Sequence, residues 1–196
     1  MPRLQGAEIA DRRAVLVDAA ATLFKEKGYE RTTVRDIAAA VGMQSGSLFY
    51  HFKSKEEILV AVMRAALKQA LAEQLAALSV AGTAPREQLR ALIRAHLRTL
   101  LLGGSNYVPV LLYEWKSLST HAKTQIIALR DEYEQAWNKV IGALNAAGQV
   151  PTSVSLTRLF LFGALNWTAQ WYDANLPLDI DGITERALTL FVHTPA

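Results

Sequence analysis

Residues 32–59 read TTVRDIAAAVGMQSGSLFYHFKSKEEIL, and this pattern predicts two short helices joined by a tight turn. Thr33 is a suitable N-cap for the first helix, and Asp36 three residues later completes an analogue of the capping box. Gly42 accepts the positive φ that a tight turn requires at little steric cost. The second short helix follows within a few residues, which is the layout of a helix-turn-helix.

The second short helix contains the stretch GSLFYHFK at residues 46–53, in which three aromatic side chains lie close together. At 100° per residue Leu48 and Phe52 share one face, so we expect them to anchor the helix in its own domain. Ser45 and Phe49 lie at the edge of that face. The opposite face is small and polar, which suits insertion into a DNA major groove, and it comprises Gly46, Ser47, Tyr50 and His51.

The charges are concentrated in the same part of the chain. The 196-residue sequence has a formal net charge of +3, and the stretch from Arg31 to Lys55 alone carries that excess. The chain has no cysteine, which excludes a disulfide framework and thiolate chemistry. Its apolar run at 159–172 is too short to span a bilayer, so we expect a cytoplasmic protein without a membrane partner.

Apolar residues recur with helical spacing along nearly the whole sequence, which predicts an all-α fold of about nine helices. A capping box at Ser54 opens a long fourth helix. We therefore expect an N-terminal three-helix DNA-binding domain at residues 1–53. A helical bundle at 54–196 would bind an effector and form the dimer, with the fourth helix contributing to both domains. One of the bundle helices is predicted over 152–173.

Catalytic motifs are absent from the sequence. It has no nucleophile elbow, phosphate-binding loop or zinc-protease motif, and its histidines do not have metal-ligand spacing. We therefore expect a protein that is not an enzyme and that has neither a metal nor a cofactor. A helical architectural DNA-binding protein without an effector is the remaining alternative.

The stretch at 32–59, together with AAATLFKEKGYERTTV at 19–34, resembles the DNA-binding domain of the TetR (tetracycline-repressor-like) family of transcriptional regulators. The resemblance covers about residues 7–62. The following bundle is similar to the family in length and helix count rather than by a strong motif. The resemblance implies a dimeric regulator, most often a repressor, that binds a pseudo-palindromic double-stranded DNA operator and leaves it when a small molecule binds.

The resemblance also implies roles for individual residues. Thr33 and Arg35 would contact phosphate, and Lys55 matches the phosphate-binding lysine of the family. Phe49 stands where the family commonly has tyrosine, so it makes an apolar contact with DNA or packs inward. The full set of implied DNA-binding residues is Thr33, Arg35, Gln44, Ser45, Gly46, Ser47, Phe49, Tyr50, His51, Lys53 and Lys55.

The run from residue 159 to 172 is apolar or aromatic on every side of a helix, and such a helix must be covered all round. We expect a second copy of the chain to cover it together with the final helix, as the resemblance implies. The predicted interface residues are Leu159, Phe160, Gly163, Ala164, Trp167, Ile183, Ala187, Leu190 and Phe191.

An effector pocket is expected to be mostly apolar with a few directed polar groups. The ending GALNW…WY resembles family branches that respond to acyl-CoA thioesters or similar lipid-derived molecules; an efflux or detoxification repressor that responds to hydrophobic drugs is the alternative. Core or interface packing is the competing interpretation for these residues, and for His96 in particular. The candidate effector-binding residues are His96, Asn106, Tyr113, Trp115, Trp137, Asn166, Trp167 and Trp171.

Overall fold

The computed structural model describes residues 2–102, 106–175 and 177–193, with side chains from residue 11 onward. Within these ranges nine α-helices and two 3₁₀ turns are found and no strand, which confirms the all-α prediction. The helices are α1 (Pro2–Lys27), α2 (Val34–Ala40), α3 (Ser45–His51), α4 (Lys55–Val80), α5 (Pro85–Leu101), α6 (Tyr107–Tyr113), α7 (Thr120–Ala146), α8 (Val154–Trp167) and α9 (Ile180–Phe191).

The chain forms two compact units. The first comprises residues 1–67 and 105–128, and in it α1 contacts α2 and α6 while α2 contacts α3. Phe24, Ile37 and Leu48 of these helices are almost completely buried. Gly42 has a φ of 67° at the turn between α2 and α3, as its position in the sequence predicts.

The second unit comprises residues 68–104 and 129–196. Its core brings together apolar side chains from α5, α7, α8 and α9, with Trp137 completely buried among them. The division between the units falls inside α4. The predicted boundary at residue 54 separates a DNA-binding domain from an effector-binding and dimerisation domain. It stays a prediction.

One predicted helix is shorter than expected. The helix predicted over 152–173 ends at Trp167, after which residues 168–170 form a 3₁₀ turn. The Thr168 hydroxyl donates to the Leu165 carbonyl at 2.6 Å, and such side-chain bonds compete with helix continuation. The aromatic residues that follow are therefore outside α8, so the apolar run does not form one continuous helix.

Candidate functional site

Helix α3 presents two different faces, as predicted. Leu48 and Phe52 are 0% and 1% exposed, which confirms that they anchor the helix in its own unit. Tyr50 is 74% exposed and Phe49 52% exposed, so the ring of Phe49 is directed outward rather than into the core. Among the other predicted contact residues of this segment, Gln44, Gly46 and Ser47 are exposed. Ser45 and His51 are partly buried.

The start of α2 is fixed by the predicted capping box. The Asp36 amide donates to Thr33 Oγ1 at 3.1 Å, and the Thr33 amide donates to Asp36 Oδ2 at 2.8 Å. The hydrogen bonds from Thr33 lower the pKa of the Asp36 carboxyl, since they favour its charged form. Thr33 and Arg35 are exposed at this end of the helix. The cap therefore holds both side chains at the surface of the unit.

His51 lies in a less open position than its helical register indicates. Its side chain is partly buried, and its Nδ1 has no hydrogen-bond partner among the described residues. Arg13 donates to the His51 carbonyl, and its guanidinium lies 3.9 Å from the centre of the Phe52 ring. His51 is therefore less exposed than Tyr50, and its contact with DNA stays a prediction. Sequence reasoning missed Arg13 because the contact joins residues 38 positions apart and belongs to no local motif.

Lys55 points into the first unit. Its Nζ donates to the carbonyls of Tyr29 and Thr32 at 2.9 and 3.0 Å, and it lies 4.1 Å from the centre of the Tyr29 ring. The ammonium group thus ties the start of α4 to the turn between α1 and α2. A phosphate contact by this lysine would compete with these carbonyls, whereas the neighbouring Lys53 is exposed.

The candidate effector residues belong to different units. Asn106, Tyr113 and Trp115 are in the first unit, where Asn106 accepts from Lys25 Nζ at 3.0 Å and donates to Thr22 at 2.8 Å. Those hydrogen bonds give Asn106 a structural role within its unit. The second unit contains the remaining candidates, which are His96, Trp137, Asn166, Trp167 and Trp171.

His96 is the centre of a hydrogen-bonded aromatic cluster in the second unit. Its Nε2 is 2.9 Å from Asn166 Oδ1, and its Nδ1 is 2.8 Å from the Tyr133 hydroxyl. A neutral ring with its proton on Nε2 satisfies both contacts, because it donates to the amide oxygen and accepts from the phenol. Phe162 stacks on His96 with ring centres 5.6 Å apart, and Trp137 packs edge-on at 5.9 Å.

This cluster favours uncharged groups. Burial lowers the pKa of His96 to about 4, against a smaller opposing effect of the Asn166 hydrogen bond, and burial raises the pKa of Tyr133. A small part of His96 remains accessible to water, but its two ring nitrogens are enclosed by the contacts just described. Both side chains are therefore neutral at physiological pH.

A charged pair borders the cluster. Arg158 pairs with Glu134, donates to Asn138 at 2.9 Å, and lies 5.7 Å from the centre of the Phe162 ring. Its side chain is only 12% exposed, so the pair is well shielded from water. This arginine already has its anionic partner.

The predicted interface residues divide into exposed and buried groups. On α8 and α9, Phe160, Trp167 and Leu190 are 58%, 66% and 70% exposed, and they form part of an open apolar surface. Ile183 is only 7% exposed and packs in the core of its own unit, and its place in the interface stays a prediction. Leu159, Gly163 and Ala164 are exposed, whereas Ala187 and Phe191 are partly buried against that core.

Two arginines of α5 form ion pairs with carboxylates. Arg90 pairs with Glu87 and Glu185, and Arg94 pairs with Asp181 at 2.7 Å. These contacts tie α5 to α9. Among the described residues no cluster of histidine, aspartate or glutamate could hold a metal ion. None of the described helices is both long and apolar enough to cross a bilayer.

Two family models match the chain. Residues 16–62 match the model of bacterial regulatory proteins of the tetR family, and residues 82–194 match the model described as tetracyclin repressor-like, C-terminal domain. The chain belongs to the TetR family of transcriptional regulators. This family consists of regulators rather than enzymes.

Individual proteins are similar to most of this chain. The transcriptional repressor KstR2 of Rhodococcus jostii is 31% identical over 184 residues, which cover 91% of this chain and 88% of the relative. The crystal structure of PfiT, described as a superantigen, is 46% identical with a TM-score of 0.81 and covers 93% of this chain and 97% of PfiT. The word superantigen describes PfiT and is not carried over to this chain.

The fold is also similar to that of a protein solved with DNA. AibR in complex with isovaleryl coenzyme A and operator DNA has a TM-score of 0.83 over 92% of this chain and 97% of AibR. Its sequence identity is 24%, so this similarity supports the fold alone.

Proposed function

We propose that the chain is a transcriptional repressor that binds a pseudo-palindromic operator as a homodimer and is released by a small apolar effector. The observation that carries the proposal is the division of α3 into two faces. Leu48 and Phe52 are buried while Tyr50 is 74% exposed, so this helix is held firmly with its polar face open. A helix of this kind enters the major groove in helix-turn-helix proteins.

The proposed DNA contacts surround that open face. Thr33 and Arg35 at the start of α2 and Lys53 after α3 would contact phosphates, while Gly46 and Ser47 allow the helix to approach base edges closely. Tyr50 and Phe49 would add contacts to the backbone or to thymine methyl groups. Because phosphate contacts release counterions, we expect affinity to fall steeply as salt rises.

The proposed homodimer uses the open apolar surface of α8 and α9. Several large apolar side chains there are more than half exposed, which is unfavourable in a monomer of this size. Leu159, Gly163 and Trp167 follow one another at helical spacing, so they lie on one side of α8. A second copy that covers this side would bring two recognition helices onto one operator, as a two-fold site requires.

The proposed effector binds in the second unit beside the aromatic cluster around His96. A mostly apolar surrounding with a few fixed polar groups suits an acyl chain or another lipid-derived molecule. The effector must bind the form that cannot hold DNA better than the form that can, since only differential affinity shifts the equilibrium. Repression rather than activation is proposed because KstR2 is named as a repressor. Action in the cytoplasm without catalytic activity is part of the same proposal.

The proposal can be tested by selecting bound fragments from sheared genomic DNA of the source organism. We expect the purified protein to retain a small set of fragments that share an inverted repeat. The Tyr50→Ala variant should lose this enrichment while keeping the same melting temperature. Retention of fragments without any common sequence, equally by both proteins, would argue against a specific operator.

A further inference from the structure

Arg13 of α1 makes three contacts at the end of α3. Its guanidinium donates to the His51 carbonyl and to Glu57 Oε1, the latter at 3.4 Å. The same group lies 3.9 Å from the centre of the Phe52 ring. The other oxygen of Glu57 accepts from the Lys53 backbone amide at 2.8 Å. One arginine therefore joins α1 to the last residue of α3 and, through Glu57, to the segment that leads into α4.

Helix α3 depends on contacts of this kind because it is short. It has seven residues, and isolated helices of this length are at best marginally stable in water. The side chain of its N-cap, Gln44, forms no capping hydrogen bond. The last carbonyls of a helix lack partners within the helix, and a cation near that end also interacts favourably with the helix dipole. The Arg13 hydrogen bond to the His51 carbonyl supplies both effects.

The Arg13 contacts lie directly after the exposed tyrosine of the face that is proposed to bind DNA. Arg13 holds the backbone of His51 and the ring of Phe52, which are the two residues that follow Tyr50. The rings of Tyr50 and His51 pack edge-on with their centres 5.3 Å apart. A shift at the end of α3 would therefore displace the exposed Tyr50 ring as well.

The guanidinium of Arg13 has its partners within the first unit. Its side chain is 42% exposed and that of Glu57 is 38% exposed, so the ion pair between them contributes little by itself. The carbonyl hydrogen bond and the stacking on Phe52 are the contacts that restrain α3. They use a planar group with several donors, which a lysine ammonium does not reproduce. A DNA phosphate would have to compete with all of these partners.

We propose that Arg13 is a positioning residue for DNA recognition, which holds the end of α3 in the orientation that operator bases require and does not itself contact DNA. This inference rests on the proposed function, because it assigns the residue that orients the proposed recognition helix. Contacts to base edges depend on the placement of α3, whereas phosphate contacts carry no sequence information. Loss of Arg13 should therefore lower the affinity for the operator and not for unrelated DNA.

The test compares two DNA fragments of equal length, an operator obtained by the genomic selection and a scrambled version of it. Fluorescence anisotropy gives the affinity for each at several salt concentrations. Arg13→Met keeps an unbranched side chain but removes the charge and the donors. It should weaken operator binding about tenfold, change binding to the scrambled fragment less than about twofold, and leave the salt dependence unchanged. Arg13→Lys keeps the charge and should lose less operator affinity.

Two further substitutions are the controls. Lys53→Met removes an exposed cation that is proposed to contact phosphate, so it should weaken binding to both fragments and reduce the salt slope of the dimer by about two. Arg64→Met removes an exposed cation of α4 in the same unit and should change neither affinity. Binding is measured well below the melting temperature of every variant, because a loss of folded protein would weaken binding to both fragments equally.

Three results would each overturn the inference. They are unchanged operator affinity of Arg13→Met, an equal loss of affinity for the two fragments, and a reduced salt slope, which would make Arg13 a phosphate contact. Any of them with a specifically bound operator would reject the positioning role alone and leave the proposed function intact. A genomic selection that yields no shared sequence would reject the proposed function together with this inference.

Discussion

The Glu114 carboxylate accepts a hydrogen bond from the backbone amide of Tyr29 at 3.0 Å, across 85 residues of sequence. Its other oxygen accepts from the Ser117 hydroxyl at 2.8 Å. A side chain on Gly28 would have its Cβ 3.6 Å from the same carboxylate, and Gly28 has a positive φ of 82°. The residues that follow α6 are therefore tied to the turn between α1 and α2, which precedes the helix-turn-helix.

Removing this carboxylate should destabilise the first unit. Glu114→Ala leaves the Tyr29 amide without its acceptor, and we expect it to lower the free energy of unfolding by about 1–2 kcal/mol. Glu114→Gln keeps a carbonyl oxygen in place and should cost less than half as much. Urea denaturation of both variants measures the difference. Equal stability of Glu114→Ala and the wild-type protein would show that the amide finds another partner.

Replacing the exposed tyrosine of α3 should affect DNA binding and not folding. Because a dimer loses the contact twice, Tyr50→Ala should weaken operator binding roughly tenfold to a hundredfold. Its unfolding free energy should stay within about 0.5 kcal/mol of the wild type, since the side chain is largely exposed. Fluorescence anisotropy on a labelled operator gives the affinity. Tyr50→Phe removes only the hydroxyl, so it distinguishes the contribution of the hydroxyl from that of the ring. Loss of the dimer in Tyr50→Ala would show that this face of α3 does not bind DNA.

The buried histidine should make stability depend on pH. The pKa of His96 is lowered to about 4, so the unfolded chain binds a proton that the folded protein does not bind until the pH is much lower. Stability should be complete above the ordinary histidine pKa and decline by about 2 kcal/mol between about pH 7.5 and pH 5. His96→Gln should remove this decline, measured by denaturation at each pH. His121→Gln, at an exposed position, should keep it.

A charge on the open face of α8 should break the dimer. Phe160→Glu would bury an unpaired carboxylate in the proposed interface, so we expect dimer affinity to fall more than about tenfold. Leu75→Glu on α4 is the control, because Leu75 is also well exposed. Sedimentation velocity distinguishes monomer from dimer. A dimer that tolerates the first variant and not the second would place the interface on α4.

Local sequence signals predicted the DNA-binding region well. The Thr33 cap, the turn at Gly42 and the inward positions of Leu48 and Phe52 depend on neighbouring residues and helical periodicity, and the structure confirms all of them. These features need no knowledge of distant parts of the chain. The sequence left open whether Phe49 faces outward or packs inward. In the structure its ring is half exposed, and its contact with DNA stays a prediction.

Long-range contacts could not be predicted in this way. The family resemblance implied that Lys55 contacts a DNA phosphate. In the structure its Nζ donates to backbone carbonyls of the turn after α1. Periodicity also shows that α9 has an apolar face without showing which of its side chains, such as Ile183, are buried within their own unit. The His51 carbonyl accepts a hydrogen bond from Arg13, which is remote in sequence. Contacts between segments that are distant in the sequence determine where these side chains lie.

We propose that two copies of α3 bind one operator. Hydroxyl-radical footprinting on a fragment retained by the protein measures whether they do. We expect two protected patches that are related by two-fold symmetry and separated by about one helical turn or more, both lost with Tyr50→Ala. A single unpaired patch, or protection that persists in the Tyr50→Ala variant, would contradict it.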